Sequence, residues 1–198
     1  MQTKIIKINN DWKHVKNVSR TTVNKEHTDN EATSAFKRKL LISEHSPIRL
    51  ITVDWFWEGI KSWIATHYSR HKYECFISTQ RDDRTDINRD DSPQGTLVNM
   101  DNSANAQHLI DVMRKRLCCQ SHTEAREYAI SLKKEIWFSG EEVLSDVLVC
   151  NCVYRNGCSE INNCGHFAKL VKANKNIVSC NIEKRYKAYN DIFWEWYN

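Results

Sequence analysis

Apolar and polar positions divide the chain into a short series of strands and helices. Lys4-Ile5-Ile6-Lys7-Ile8 alternates and predicts an edge strand in an otherwise polar stretch, residues 1–28. Thr28 with Glu31 forms a capping box, and behind it Ala32, Ala35, Phe36, Lys39 and Leu40 predict a helix with one apolar face. Glu44-His45-Ser46-Pro47 ends that helix, because the residue before a proline avoids helical geometry. Residues 48–57 alternate and are rich in Ile, Val, Trp and Phe, which predicts a strand closed by Gly59. From Ile60 the spacing Ile60, Trp63, Ile64, His67 is helical and delivers Arg70-His71-Lys72 at a helix C-terminus. A strand is expected at Tyr73–Thr79, followed by a charged loop over residues 81–104.

The second half reads as helices. Ala106, Leu109, Ile110, Met113 and Leu117 share a face of a helix over about 103–117. Capping boxes at Ser121/Glu124 and Ser139/Glu142 open two more, and residues 150–165 form a Cys-rich loop. A last amphipathic helix carries Ile182, Tyr186, Tyr189, Phe193 and Trp196.

Composition narrows the class. The 198 residues are 40% hydrophobic and include seven Trp, enough to drive collapse around one core. The net charge of +4 is mild and its Lys and Arg are scattered, which argues against a duplex nucleic-acid face and suits a small anionic ligand. No apolar run approaches the ~18 residues of a membrane span, and the polar start Met1-Gln2-Thr3-Lys4 is no secretory signal. A cytoplasmic protein is expected, its eight Cys being thiols or metal ligands rather than disulfides.

Asn105 and Arg116 are eleven residues apart, close to three helical turns, so they share one edge of the helix about 16 Å apart. An amide and a guanidinium so spaced could grip a long ligand, or could both sit on a solvated shoulder. Arg70-His71-Lys72 and Ser78-Thr79-Gln80-Arg81-Asp82-Asp83-Arg84 form a second cluster, readable also as a solvated strand end.

Together these residues resemble the two halves of the active site of flavin-dependent thymidylate synthases. Asn105, Arg116, Glu124 and Arg126 match the family's C-terminal register, with Asp111 and His122 departing from it. His45-Ser46-Pro47 looks like the family's His-x-Ser-Pro turn, although Ile48-Arg49-Leu50 replaces the Phe-Glu-His that follows there. Arg70-His71-Lys72 stands in place of Arg-His-Arg.

The resemblance implies an α+β fold: a small mixed or antiparallel sheet flanked by helices, with a Cys-rich helical tail. It divides the chain into a core, residues 1–135 (closest over 30–130), and an extension, residues 136–198, packed on the same domain. It implies FAD held by His45, Arg70, His71, Lys72 and Asn105. A deoxyuridine nucleotide such as dUMP would be held by Ser78, Gln80, Arg81, Arg84 and Arg116, with Arg116 polarising the pyrimidine. The implied reaction is one-carbon transfer to C5, with NADPH and methylenetetrahydrofolate as co-substrates and no Cys or Ser nucleophile. Cys75 stands where the family has a Ser and reads first as strand packing. A homo-oligomer is implied, a tetramer first, with active sites assembled between subunits. The short segment between Arg84 and Asn105 suggests a divergent, phage-type member. The alternative is a derived protein that binds nucleotide or flavin without catalysis.

The cysteines make a third constellation. Cys152, Cys158 and Cys164 are evenly spaced beside Gly157 and Gly165, and Cys118 or Cys119 could add a fourth thiolate. Such a set suits zinc or an iron–sulfur cluster, or the thiols simply fill space.

Overall fold

A computed structural model describes residues 2–197. Four antiparallel strands, β1 (Gln2–Asn9), β2 (Thr52–Lys61), β3 (Glu74–Ile77) and β4 (Leu97–Asn105), lie in the order β1-β2-β4-β3. Nine helices surround them among the described residues: α1 (Trp12–Thr21), α2 (Ser34–Ile42), α3 (Ser62–Ser69), α4 (Ala106–Arg116), α5 (Thr123–Phe138), α6 (Glu142–Val147), α7 (Asn151–Tyr154), α8 (His166–Ala173) and α9 (Ile182–Tyr197). None is long and apolar enough to cross a membrane.

Sheet burial follows the two-residue period of a strand. Val53, Trp55 and Trp57 of β2 and Val98, Met100 and Ala104 of β4 face the core, while Glu58, Asp101 and Phe76 face outward. Trp57 packs edge-on to Trp55 and against Tyr68 of α3 and Tyr128 of α5, so the sheet and these helices share one aromatic centre. Burial of such a side chain contributes about 1.5–3 kcal/mol. The same buried cluster continues through Leu144 and Val153 to Phe193 of α9, so residues beyond 136 pack on the same core. Glu141, itself buried, accepts hydrogen bonds from Asn10 and from the Trp12 indole and ties α6 to the N-terminal strand.

Several boundaries depart from the sequence expectation. The segment before residue 28 contains α1, capped by Asp11, whose side chain accepts from the His14 amide. The next helix is capped by Thr33 rather than Thr28, through a bond from the Phe36 amide to the Thr33 hydroxyl. Pro47 does not open a strand but starts a 3-10 turn, Ser46–Leu50, which its fixed φ and missing N–H favour. Strand β2 therefore begins at Thr52 and runs through Gly59, which absorbs a register shift against β4 at φ 63. Gly59→Ala places a side chain in that left-handed conformation and should cost about 1–2 kcal/mol in urea denaturation.

The largest correction is β4. It lies inside the expected 81–104 loop, yet it is a central strand between β2 and β3. Its inward positions include Asn102, whose amide donates to the carbonyls of Met100 and Trp55, and its outward positions are Asn99, Asp101 and Ser103. Residues of low β propensity thus occupy a strand because both its neighbours supply pairing. The Cys-rich stretch is likewise interrupted by α7, and α8 follows it.

Candidate nucleotide and flavin site

The turn 70–73, which links α3 to β3, sits beside the end of β4. Arg70 caps α3 and is exposed. The next three residues, His71, Lys72 and Tyr73, line a shallow hollow with Glu74, Ser103, Arg49 and Thr52. Asn105, the cross-strand partner of Thr52, and His108 at the start of α4 complete the lining.

Asn105 is both the last residue of β4 and the N-cap of α4. Its side-chain oxygen accepts from the His108 amide at 3.0 Å, and the next amide, Ala106, donates to Ile51. This position joins sheet to helix at the rim of the hollow. Asn105→Ala should lower stability by about 1 kcal/mol through the lost cap, whereas Asn105→Ser keeps it. Comparing ligand binding in the two variants, with urea denaturation as the stability check, separates the amide's contact from its cap.

Arg116, at the other end of α4, turns back toward the same turn. Its Nε donates to His71 Nε2 at 2.8 Å, its Nη2 donates to the His67 carbonyl at 2.5 Å, and its guanidinium lies 5.3 Å from the Tyr68 ring centroid. Because His71 accepts at Nε2, its proton sits on Nδ1. Burial first, then the charges of Arg116 and Lys115, pull the His71 pKa down to about 4, so the ring is neutral at physiological pH. Burial also lowers the pKa of Arg116 itself. Among the described residues no carboxylate lies within ion-pair distance of Arg49, Arg70, Lys72 or Arg116. A half-buried guanidinium with no counter-ion among the described residues, near Arg70 and behind a hollow that carries Arg49 and Lys72 together with Glu74, leaves positive charge that an anion would balance. The Tyr73 hydroxyl, buried next to the hollow, has no hydrogen-bond partner.

The other residues singled out in the sequence lie elsewhere. His45 is exposed and lines a separate depression with Phe36 and Lys39. Ser78 leaves β3 at the end opposite His71, and its hydroxyl accepts from the Asn99 amide at 2.9 Å. Arg81 is exposed and held by Asp83 through bonds of 2.8 and 2.6 Å, while Gln80 and Arg84 lie on the same segment. Thus His71, Lys72 and Asn105 share the hollow, Arg116 locks His71 from behind, and the Ser78–Arg84 segment lies away from them within one chain. Glu124 pairs with Lys61 at 2.6 Å, and Arg126 bears on Cys119 and His166 of the tail. Arg49, Tyr73 and His108 were not singled out from sequence. Arg49 occurs there only as a departure from the family turn, yet it adds a cation to the hollow. Helical spacing alone could have found His108, three residues after Asn105 on the same edge.

No protein-family model matches the chain, and no curated protein matches it by sequence. Solved structures do match. Flavin-dependent thymidylate synthase ThyX from Helicobacter pylori, complexed with FAD and dUMP, superposes with a TM-score of 0.63 at 12% identity. The match covers 75% of this chain and all of that one. The UMP/dUMP methylase PolB from Streptomyces cacaoi, bound with 5-Br dUMP, gives 0.58 at 14% identity over 74% of this chain and 93% of its own. The likeness therefore reaches beyond the half of the chain in which motifs could be matched. Its small antiparallel sheet with surrounding helices gives this chain the fold of the flavin-dependent thymidylate synthases.

Proposed function

We propose that the protein is an FAD-dependent enzyme that transfers a one-carbon group to C5 of a deoxyuridine nucleotide. The observation that carries this reading is Arg116, without a counter-ion among the described residues and bonded to a neutral His71 that lines a hollow carrying Arg49 and Lys72, on a fold shared with proteins whose structures hold dUMP or 5-Br dUMP. A thymidylate-type reaction needs two flat rings positioned, phosphates neutralised and charge stabilised on the pyrimidine oxygens.

The residues present fit a flavin dinucleotide. Arg49 and Lys72 on the lining, with Arg70 on the adjoining turn, offer cations for its phosphates, Asn105 and the unpartnered Tyr73 hydroxyl offer polar contacts, and His71 and His108 offer flat faces. When bound, FAD would supply hydride and one-carbon carriage, which this chain's side chains cannot. The protein's own work is electrostatic. Arg116 places a fixed positive charge where the pyrimidine becomes electron-rich, and His71, held neutral, orients that guanidinium without competing for the anion. NADPH and methylenetetrahydrofolate would be the co-substrates.

Ser78, Gln80, Arg81 and Arg84 would take the nucleotide phosphate from a neighbouring copy, because they lie at the far end of β3 from the hollow of their own chain. The exposed Phe76 and Ile77 on edge strand β3 provide an apolar surface for that association, as a tetramer or smaller oligomer. Mixing Arg81→Ala with Arg116→Ala should then restore part of the activity that each variant lacks alone; no recovery on mixing would place both arginines in one chain's site. For the cofactor, titration with FAD should quench flavin fluorescence and leave a yellow protein after desalting. A colourless protein with no quenching would refute flavin dependence, and a yellow one unable to methylate dUMP would favour the binding-only alternative.

A further inference from the structure

Away from the basic hollow, a second place gathers reactive side chains. Cys118 and Cys119 follow α4, Cys152 lies in α7, Cys158 and Cys164 lie in the segment after it, and His166 opens α8. All six line one narrow cleft. They come from two stretches, 118–119 and 152–166, which the fold brings together across more than thirty residues of intervening chain.

The segment 155–165 needs an anchor. Its one large apolar residue, Ile161, is fully exposed, so burial contributes little to offset the entropy of ordering it. Asn151 donates to the Ser159 hydroxyl at 2.9 Å, Gln120 donates to the Asn162 carbonyl, and left-handed residues Asn156 and Gly165 turn the chain at either end. Cys164 is exposed and Cys158 only half-buried, so neither serves as core filling. Every thiol is free.

Charge around the cleft is mixed, with Glu160 on the lining beside Cys118 and two cations on the Cys119 side. Arg126, whose Nε is buried without a partner, and Lys169 both bear on Cys119 at the cleft. A tetrathiolate metal centre carries two net negative charges and would satisfy that side of the wall. Among the described residues no three His, Cys, Asp or Glu side chains already stand in a metal-holding group. Rotation about Cα–Cβ redirects each cysteine sulfur without moving the backbone, so the cleft can close on an ion it does not already grip.

We propose that this cleft is a structural zinc site in which Cys118, Cys152, Cys158 and Cys164 close on one Zn2+, releasing their thiol protons as the ion binds. Cys119 and His166 remain beside the centre. Soft thiolates in a tetrahedral set select zinc over hard cations. The site would pin the tail to the C-terminal end of α4, and it stands independently of the nucleotide reading.

The test is metal content and cobalt substitution on the full chain. Protein purified under reducing conditions should carry about one equivalent of zinc. Metal-free protein titrated with Co2+ should develop intense thiolate-to-cobalt charge-transfer bands and tetrahedral d–d absorption. Cys158→Ser combined with Cys164→Ser should abolish both signals, while Cys75→Ser combined with Cys180→Ser should keep them. Chelation should lower Tm and raise the number of thiols open to a titrating reagent by about four. Zinc below roughly a tenth of an equivalent with no cobalt charge-transfer band, or full zinc retention in the Cys158/Cys164 variant, would overturn the assignment. The wild-type cobalt spectrum decides the question even where the double variant does not fold.

Discussion

Arg116→Ala should weaken dUMP binding about ten- to a hundredfold, because the proposed charge-assisted contact to the nucleotide would be worth roughly 1.5–3 kcal/mol. Calorimetry with dUMP on wild type and variant measures it. Arg116→Lys should not rescue binding. A lysine has no Nε–H fork to hold His71 Nε2 and the His67 carbonyl together, and it loses the planar contact with Tyr68. The Arg116→Ala variant also provides an internal check in the protein without ligand. With the guanidinium gone, one of the charges that depress His71 disappears, so its pKa should climb from about 4 toward the ordinary histidine range in an NMR titration. A raised His71 pKa with unchanged dUMP affinity would leave the pair real but the nucleotide elsewhere.

The second large effect concerns Lys133, which has no solvent exposure in the middle of α5. Its ammonium donates to the Ser145 carbonyl at 2.5 Å and to Asn190 Oδ1 at 2.7 Å, joining α5 to α6 and α9. Burial, only partly offset by Asp146 and Cys150, lowers its pKa to about 7 from an ordinary 10.5. The sign follows from proton counting. Between those two values the unfolded chain holds a proton that the folded one does not, so this group makes stability rise with pH, by at most about 1.4 kcal/mol per unit. Below about pH 7 both states are protonated and the penalty of the buried charge is fully present. Lys133→Met keeps the length and removes the titration. The difference in unfolding free energy between wild type and Lys133→Met should therefore shift in favour of wild type from pH 7 to 8.5. Groups common to wild type and variant cancel in that difference. A difference independent of pH would show that Lys133 stays charged throughout.

Much of the fold was legible where one period dominated. The long helix that became α4 and the final helix α9 each have a single apolar stripe, and β1 was readable as an edge strand from five residues. Strand β4 was not, because its outward face after Leu97 is Asn, Asp, Ser and Asn and one of its inward positions is also Asn. Such a strand is set by its partners, β2 and β3, which lie far from it in sequence. Helix α1 was hidden by its polar composition, although Asp11 before Trp12 is a capping signal.

The site shows the same division. His71, Lys72 and Asn105 stood out from motif and position, and the structure gathers them in one hollow. Arg116 was legible as a residue but not as a partner of His71, since that contact depends on how the turn after α3 folds against the end of α4. Arg49 reached the hollow through a 3-10 turn that took the place of the first residues of an expected strand. The cysteines of the Cys-rich cleft were grouped from their spacing, whereas His166 joined them only once α8 was placed.

The most direct test of the central claim follows the hydrogen that one-carbon transfer must displace from C5 of the pyrimidine. With dUMP tritiated at C5, the protein should release tritium to water only when FAD, a reductant and a one-carbon donor are all present, and Arg116→Ala should reduce that release at least tenfold. Wild-type protein that binds FAD and dUMP yet releases no tritium under those conditions would contradict the proposed reaction.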